Sequence, residues 1–212
     1  MIEVDVWTDV RCPWCWMGLR RLYRAVAELE GKVQVRHRSF LLEPDGPVSP
    51  GLTTARVATS EWGLTLQRWQ SKSQRIRAEG RKEGLEINVD SALMFDSTPV
   101  HRILKYATSS VWIDTEAAWD EAFATHFTRN ENLADLSVLR EMASGWGLSD
   151  EEIECALSDE RLGNEIAQDV SDAHNLGVNS VPTIVSADGR HLAGSVSTDD
   201  IGNFLSLGAS ER

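Results

Sequence analysis

The sequence has few cysteines and no long apolar run. Three cysteines in 212 residues are too few for a disulfide scaffold. With 42% hydrophobic and 25% charged residues, the composition also excludes a wholly disordered or collagen-like chain. No run of about 18 apolar residues occurs, so we expect no membrane span and no membrane partner. The start, MIEVDV, lacks the basic and apolar regions of a signal peptide, which predicts a cytoplasmic globular protein.

Basic residues are also scarce. The chain holds 21 Lys and Arg against 33 Asp and Glu, for a net charge of −12. So acidic a chain is a poor candidate for nucleic-acid binding, because that binding depends on neutralising phosphates. The charge is uneven: residues 1–40 hold seven basic and five acidic side chains, residues 41–158 eleven and nineteen, and residues 159–212 three and nine. The N-terminal segment alone is slightly basic.

The first forty residues predict a strand, a helix and a second strand. Valines alternate with polar residues in Glu3–Trp7, which is typical of a strand. A helix should begin near Pro13, which suits a first turn, and end at Gly31. Val33–Phe40 alternates again and predicts a second strand. One helix between two strands favours parallel pairing of the strands.

A long helical segment is predicted next. Residues 41–52 are rich in proline and glycine and predict a loop. From Ser60 to Ala173 the pattern is helical, apart from Asn88–Phe95, which could be extended. The predicted helices are Leu64–Glu83, Pro99–Trp112, Thr115–Thr128, Leu136–Gly145, Asp150–Ser158 and Asp159–Asn175, with Asp135, Ser149 and Asp159 as N-caps.

Strand signals return near the C-terminus. Thr183–Ser186 and His191–Gly194 are joined by a segment containing Asp-Gly, which predicts a hairpin. A last helix, Thr198–Leu207, should follow an N-cap at Ser197. The order β-α-β, helices, β-β-α predicts an α/β fold whose two halves, residues 1–45 and 176–212, are separated by an all-α insertion of residues 46–175.

Cys12-Pro13-Trp14-Cys15 lies where the first strand ends and the helix opens. In this context a C-x-x-C motif indicates redox chemistry. Free backbone N–H groups and the positive end of the helix dipole meet at the first cysteine, and both favour the thiolate that attacks disulfides. We therefore predict that Cys12 is the nucleophile and Cys15 the resolving thiol, with Pro13 and Trp14 beside the substrate. The head of Arg11 could add positive charge near the Cys12 sulfur.

Other uses of the cysteines stay open at this point. Cys12 and Cys15 could form a structural disulfide, or half of a zinc site completed by His37 and His101. Nothing in the spacing requires a metal, and we predict none. Cys155 has acidic neighbours, which disfavour a thiolate. We expect it to be an unreactive helix residue; the alternative is a third redox thiol.

Two further segments extend the pattern across the chain. With the C-P-W-C motif, R-S-F-L-L-E-P-D at Arg38–Asp45 and G-V-N-S-V-P-T at Gly177–Thr183 resemble the DsbA family of thioredoxin-fold proteins. The resemblance covers nearly the whole chain. It is closest to the branch described as FrnE-like or 2-hydroxychromene-2-carboxylate isomerase/DsbA-like.

The resemblance implies roles for three more residues. Pro182 would be a cis-proline facing the dithiol, preceded by Val181, where the family's backbone pairs with an extended substrate and keeps metal away. His101 lies in a segment similar to the family stretch N-T-x-x-A-H-R, although the Asn-Thr pair is Asp-Ser here. His101 could face the substrate; the alternative is a buried histidine hydrogen-bonded between helices.

The dithiol and the resemblance together predict a thiol–disulfide oxidoreductase acting on protein or small-molecule disulfides and thiols. It would use a redox-active disulfide and no tightly bound cofactor. Glutathione is a candidate co-substrate, and a thioredoxin- or glutathione-type reductant is the expected partner. Two alternatives stay open: glutathione-dependent isomerisation or transfer, for which the isomerase branch has serine at the position of Cys12, and peptide binding along Pro182 without redox turnover.

Eight tryptophans are many for this length. Trp7, Trp14 and Trp16 lie close to the dithiol in the sequence and could form a substrate platform. The other five occur at helical spacing and are expected in the core: Trp62, Trp69, Trp112, Trp119 and Trp146.

Overall fold

The structure is a computed structural model that describes residues 1–207. These residues form four strands and nine helices. In chain order they are β1 (Ile2–Thr8), α1 (Pro13–Glu28), β2 (Val33–Ser39), α2 (Thr54–Ser60), α3 (Leu66–Lys82), α4 (Thr98–Ser109), α5 (Thr115–Phe127), α6 (Leu136–Gly145), α7 (Asp150–Ser158), α8 (Glu160–Asn175), β3 (Thr183–Ser186), β4 (His191–Ala193) and α9 (Thr198–Leu207).

The strands form one mixed sheet in the order β2-β1-β3-β4. β1 and β2 are parallel, with Ile2 opposite Val33, as the strand–helix–strand order predicted. β1 pairs antiparallel with β3, and β3 turns back to β4 as the expected hairpin. Six helices, α3 to α8, lie between β2 and β3 with the short α2. The predicted α/β class with a helical insertion is therefore confirmed.

Three local expectations differ from the structure. Helix α1 ends at Glu28 rather than Gly31, because Glu30 and Gly31 turn the chain at φ 50° and 75°. The short helix α2 lies just after the predicted loop and was missed, since its seven residues are too few to show a helical period. Asn88–Phe95 contains no strand within the described chain beyond a single bridge from Leu93 to Thr53.

The helix starts were predicted more reliably. Asp135 accepts the backbone N–H of Ser137, and Asp159 accepts that of Arg161. Ser149 forms a reciprocal capping box with Glu152. These three N-caps are confirmed. They could be predicted from the sequence because a cap depends on a side chain and a backbone group only two or three residues apart.

The core is continuous from the sheet to the insertion. Val4 and Val6 of β1 belong to the same buried cluster as Leu19 of α1, Phe123 of α5 and Leu139 of α6. This cluster crosses the expected boundary between residues 45 and 46. No helix among residues 1–207 is both long and apolar enough to cross a membrane.

Candidate active site

The dithiol lies at the carboxyl end of β1, where the chain enters α1. Cys12 is the N-cap of α1, and its N–H donates to the Asp9 carbonyl at 3.0 Å. The Cys15 N–H donates to the Cys12 carbonyl at 2.9 Å. Both cysteines are free thiols; Cys12 is 7% exposed and Cys15 is fully buried. The first cysteine is therefore the one that a substrate can reach.

The loop before β3 faces this thiol. The Val181–Pro182 peptide is cis. The Cys12 thiol donates to the Val181 carbonyl, with a sulfur–oxygen distance of 3.6 Å. Gly18 on α1 allows the approach, because a Cβ built there would lie 2.6 Å from Pro182 Cγ. The structure thus brings together Cys12, Val181 and Pro182, which lie about 170 positions apart in the chain.

A cleft of about 590 Å³ opens beside Cys12. Pro13 and Trp14 line one side of it, and Val181 lies at its edge. The opposite wall comes from the insertion, including Trp62 before α3 and Trp69 within it. The cleft is therefore lined by the dithiol segment, the helical insertion and the loop before β3, with Cys12 and aromatic rings among its lining residues.

Cys15 lies behind Cys12 in a low-polarity environment. Burial raises the pKa of the Cys15 thiol well above its usual range, and the neighbouring Cys12 and the carboxylate of Asp9 raise it further. A buried thiol of this kind stays protonated until a change at Cys12 favours its ionisation. This suits a resolving thiol, which acts only after Cys12 has formed a mixed disulfide.

Asp9 is a fully buried carboxylate between β1 and Cys12. Burial alone would raise its pKa, but nearby His101 and the backbone N–H groups of Arg11 and Leu42 outweigh burial, so the Asp9 pKa lies below its usual value. Those two N–H groups donate to the Asp9 carboxylate at 3.0 and 2.8 Å. The dithiol therefore has a fixed negative charge on its buried side.

His101 does not line the cleft, so its expected contact with substrate is not supported. The residue is completely buried, with 0% of its surface exposed. Its Nε2 lies 3.6 Å from Asp9 Oδ1, and its ring meets Trp119 edge-on at 5.6 Å. In the structure α4 turns this position inward toward Asp9, so His101 is buried, which was the alternative to a contact with substrate.

Arg11 also differs from its expected orientation. Its guanidinium pairs with Glu43, and Nη2 lies 3.5 Å from the Met94 sulfur. The side chain is only 6% exposed. The positive charge next to Cys12 in the sequence is thus held by the loop after β2.

The tryptophans are distributed differently from the prediction. Trp7 packs away from the dithiol, and its indole N–H donates to the Asp169 carbonyl. Trp16 stacks on Phe123 in the core, so of the three N-terminal tryptophans only Trp14 lines the cleft. Trp112 is 90% exposed rather than buried.

Sequence reasoning missed the contribution of α3 and the preceding loop. Trp62 was expected in the core but is 47% exposed and lines the cleft. Trp69 lies in the core as expected and also contributes to the cleft, with Lys72 and Arg75 beside it. The Arg75 guanidinium lies 5.3 Å from the Trp14 ring centroid. The one available signal was the close spacing of aromatic and basic residues over positions 62–75.

The remaining candidates lie elsewhere. Cys155 is exposed on α7, and His37 stacks on Trp119 at 5.1 Å. Among residues 1–207, no three His, Cys, Asp or Glu side chains are grouped as metal ligands would be.

Comparisons with known proteins agree on one family. A family model described as a DSBA-like thioredoxin domain matches residues 3–206. A probable DsbA oxidoreductase from Streptomyces coelicolor is 26% identical, with a TM-score of 0.91 over 100% of this chain and 92% of that one. No curated protein matches the sequence.

Two more distant structures share the fold. The cytosolic disulfide reductase DsbM from Pseudomonas aeruginosa, solved with GSH, is 19% identical, with a TM-score of 0.65 over 98% of this chain and 99% of that one. A 2-hydroxychromene-2-carboxylate isomerase is 15% identical, with a TM-score of 0.67 over 98% and 95%.

Proposed function

Because the chain belongs to the DSBA-like thioredoxin domain family, we propose that it is a thiol–disulfide oxidoreductase that works through Cys12 and Cys15. The observation that carries the proposal is the pairing of a reachable Cys12 with a fully buried Cys15 at the start of one helix. The same two thiols would serve protein or small-molecule disulfides.

The first step is attack by the Cys12 thiolate on one sulfur of a substrate disulfide. A mixed disulfide with Cys12 forms, and the other substrate sulfur leaves as a thiolate that takes up a proton. Cys12 is the N-cap of α1, so the positive end of the helix dipole lies at its sulfur and attracts the negative charge of a thiolate. The Val181 carbonyl lies 3.6 Å from Cys12 Sγ, and the substrate backbone would pass beside it.

The second step is release. Cys15 loses its proton, attacks the Cys12 sulfur and displaces the second substrate thiolate, which leaves a Cys12–Cys15 disulfide. Two electrons have then moved from the protein to the substrate. Burial keeps Cys15 protonated before this step, since its pKa is raised in the free dithiol. Run in reverse, the same steps oxidise a substrate dithiol.

The electrons would be restored by a small thiol or a thioredoxin-type protein. The GSH-bound disulfide reductase among the structural neighbours is described as cytosolic. On that likeness we include glutathione as a candidate co-substrate and the cytoplasm as the proposed compartment. Glutathione is then a reductant here and not a cofactor held between turnovers.

Cys12→Ser should reduce insulin-disulfide reduction to the uncatalysed rate, because serine cannot form a mixed disulfide. Cys15→Ser should instead accumulate a covalent adduct on Cys12, since the resolving thiol is gone. Turnover is measured by insulin precipitation and the adduct by non-reducing electrophoresis and mass spectrometry.

Cys155→Ser is the matched control, since Cys155 is exposed on α7 and should leave both measurements unchanged. Wild-type turnover in Cys12→Ser would overturn the proposal. Glutathione-dependent activity that survives in a Cys12→Ser/Cys15→Ser double variant would instead favour an isomerase or transferase.

A further inference from the structure

The cleft beside Cys12 has a charge opposite to that of the whole molecule. The chain carries a net charge of −12. Within residues 1–207, however, the charged side chains that line the cleft are Arg11, Lys72 and Arg75, and no Asp or Glu lines it. A positive cleft in so acidic a protein needs an explanation other than solubility.

Helix α3 supplies two of these cations. Residues three or four apart are neighbours on a helix surface, so Lys72 and Arg75 lie beside the face that carries Trp69 and Ile76, and all four residues line the cleft. Trp69 and Ile76 are 4% and 7% exposed and anchor α3 to the core, whereas Lys72 and Arg75 stay exposed. The helix thus buries its apolar face and places its cations at the rim of the cleft.

Neither cation forms an ion pair with a carboxylate of the described residues, although the charge of Glu79 acts on Arg75. Lys72 makes no hydrogen bond or ion pair with any residue that the structure describes. Arg75 lies over the Trp14 ring at 5.3 Å, which ties its charge to the dithiol segment. One turn further along α3, Glu79 forms ion pairs with Lys82 and Arg21 rather than with Arg75.

Arg11 adds a buried donor to the cleft. Its charge is largely balanced by Glu43, with which it forms an ion pair. Its Nη1, however, is buried and has no hydrogen-bond partner among residues 1–207. A buried donor without a partner is unfavourable unless another group, such as a bound ligand, completes it.

From these observations, and resting on the proposed function, we propose that the cleft selects disulfides that carry a carboxylate close to the S–S bond. Lys72 and Arg75 would bind the carboxylate while the Cys12 thiolate attacks the nearer sulfur and the other sulfur leaves as a thiolate. The cations offset the repulsion between an anionic substrate and the attacking thiolate. The same cations repel a cationic disulfide, which gives the cleft its selectivity.

Three small disulfides of equal chain length test the charge preference. They are dithiodipropionate, a dianion; hydroxyethyl disulfide, which is neutral; and cystamine, a dication. The reduced protein is mixed with each, and its oxidation is followed by tryptophan fluorescence. Each rate is divided by the rate at which dithiothreitol reduces the same disulfide, which removes differences in intrinsic reactivity.

The wild type should prefer the dianion over the dication by about tenfold, which corresponds to about 1.4 kcal/mol. In Lys72→Gln/Arg75→Gln the ratio of the dianion rate to the dication rate should fall to near one. Arg81→Gln is the matched control, because Arg81 is an exposed cation on α3 that does not line the cleft. High salt should weaken the preference of the wild type, since exposed charges are screened.

A second pair of substrates distinguishes acidic peptides from small acidic thiols as the source of the carboxylate. Two peptide disulfides that differ only in Asp or Lys beside the cystine are compared in the same assay. A preference for Asp that depends on Lys72 and Arg75 supports acidic peptides as substrates. A preference limited to dithiodipropionate supports small acidic thiols.

The inference and the proposed function fail in different ways. Equal relative rates with all three small disulfides, or a preference that survives in Lys72→Gln/Arg75→Gln, would overturn the charge selection and leave the oxidoreductase in place. No oxidation of the protein by any disulfide would overturn the proposed function itself.

Discussion

Gly18 is the residue that allows α1 to approach the Val181–Pro182 loop. A Cβ at this position would lie 2.6 Å from Pro182 Cγ and 3.3 Å from Pro182 Cβ. The proline ring is rigid, so one of the two backbones would have to move. The position of the Val181 carbonyl against Cys12 therefore depends on a residue without a side chain.

We expect Gly18→Ala to lower the free energy of unfolding by about 1–3 kcal/mol, as overpacking of a core does. It should also slow insulin reduction, because the Val181 carbonyl would shift relative to Cys12. Urea denaturation and the turnover assay measure the two effects.

Gly202→Ala is the control for that experiment. Gly202 lies within α9 and a Cβ there would meet nothing within 4 Å. The substitution should stabilise the protein by about 0.5–1 kcal/mol, because alanine favours the helix. If Gly18→Ala behaved like Gly202→Ala, the close approach would not matter.

At the scale of elements, α8 covers the face of the sheet opposite α1. Side chains alternate along a strand, so Val4 and Val6 face the cluster with α1, whereas Trp7 packs on Ala173 of α8. The two faces of β1 are thus covered by helices from different parts of the chain. The insertion does not stand apart from the sheet, because its last helix completes the sheet's packing.

Asp169 attaches α8 to its neighbours. Its carboxylate is 2% exposed and accepts from Arg38 Nη1 at 2.8 Å and from the Ser39 N–H at 2.9 Å, both on β2. Lys105 Nζ of α4 lies 2.5 Å from the second oxygen. One buried carboxylate therefore joins a helix to a strand and to a second helix.

Asp169→Asn should destabilise the protein by about 3 kcal/mol, since it leaves partly buried cations without their counter-charge. Asp172→Asn, three residues on in α8, removes a carboxylate whose one side-chain hydrogen bond among residues 1–207 is from Gln168, and it should change stability by less than about 0.5 kcal/mol. Thermal and urea unfolding measure both; similar losses in the two variants would contradict the role of Asp169.

At the scale of the whole molecule, two buried histidines make stability depend on pH. Burial lowers the pKa of His37 and of His126 to about 3, from the ordinary value of 6.5. The folded protein therefore keeps both rings neutral, whereas the unfolded chain protonates them below about pH 6.5. The unfolded state binds more protons between pH 6.5 and 3, so stability is lost as the pH falls through that window.

Each histidine should remove about 2 kcal/mol of stability between pH 7 and pH 5. His126→Leu should lose about 2 kcal/mol less stability than the wild type between pH 7 and pH 5, whatever the substitution does to stability at pH 7. Urea unfolding at the two pH values measures the difference. His174→Leu, at an exposed position, should keep the wild-type dependence; an equal loss in His126→Leu and the wild type would refute the assignment.

Much of the fold and part of the site could be predicted from local patterns. The helix start at Pro13, the caps at Ser149 and Asp159, and the hairpin at Asp188-Gly189 depend on groups a few residues apart. Predictions that needed a distant neighbour were less reliable. His101 was expected beside the substrate, yet α4 turns it toward Asp9, and a sequence segment does not carry that orientation.

The sequence by itself determined the two thiols, the strand–helix junction that holds them and the order of the elements, because each follows from spacing along the chain. Only the tertiary structure decided which thiol is reachable, what Val181 faces and that Lys72 and Arg75 line the same cleft as Trp14. The reason is physical. Burial, ion pairing and the shape of a cleft depend on contacts between residues about 60 to 170 positions apart, and the local sequence pattern does not show which distant residues will meet.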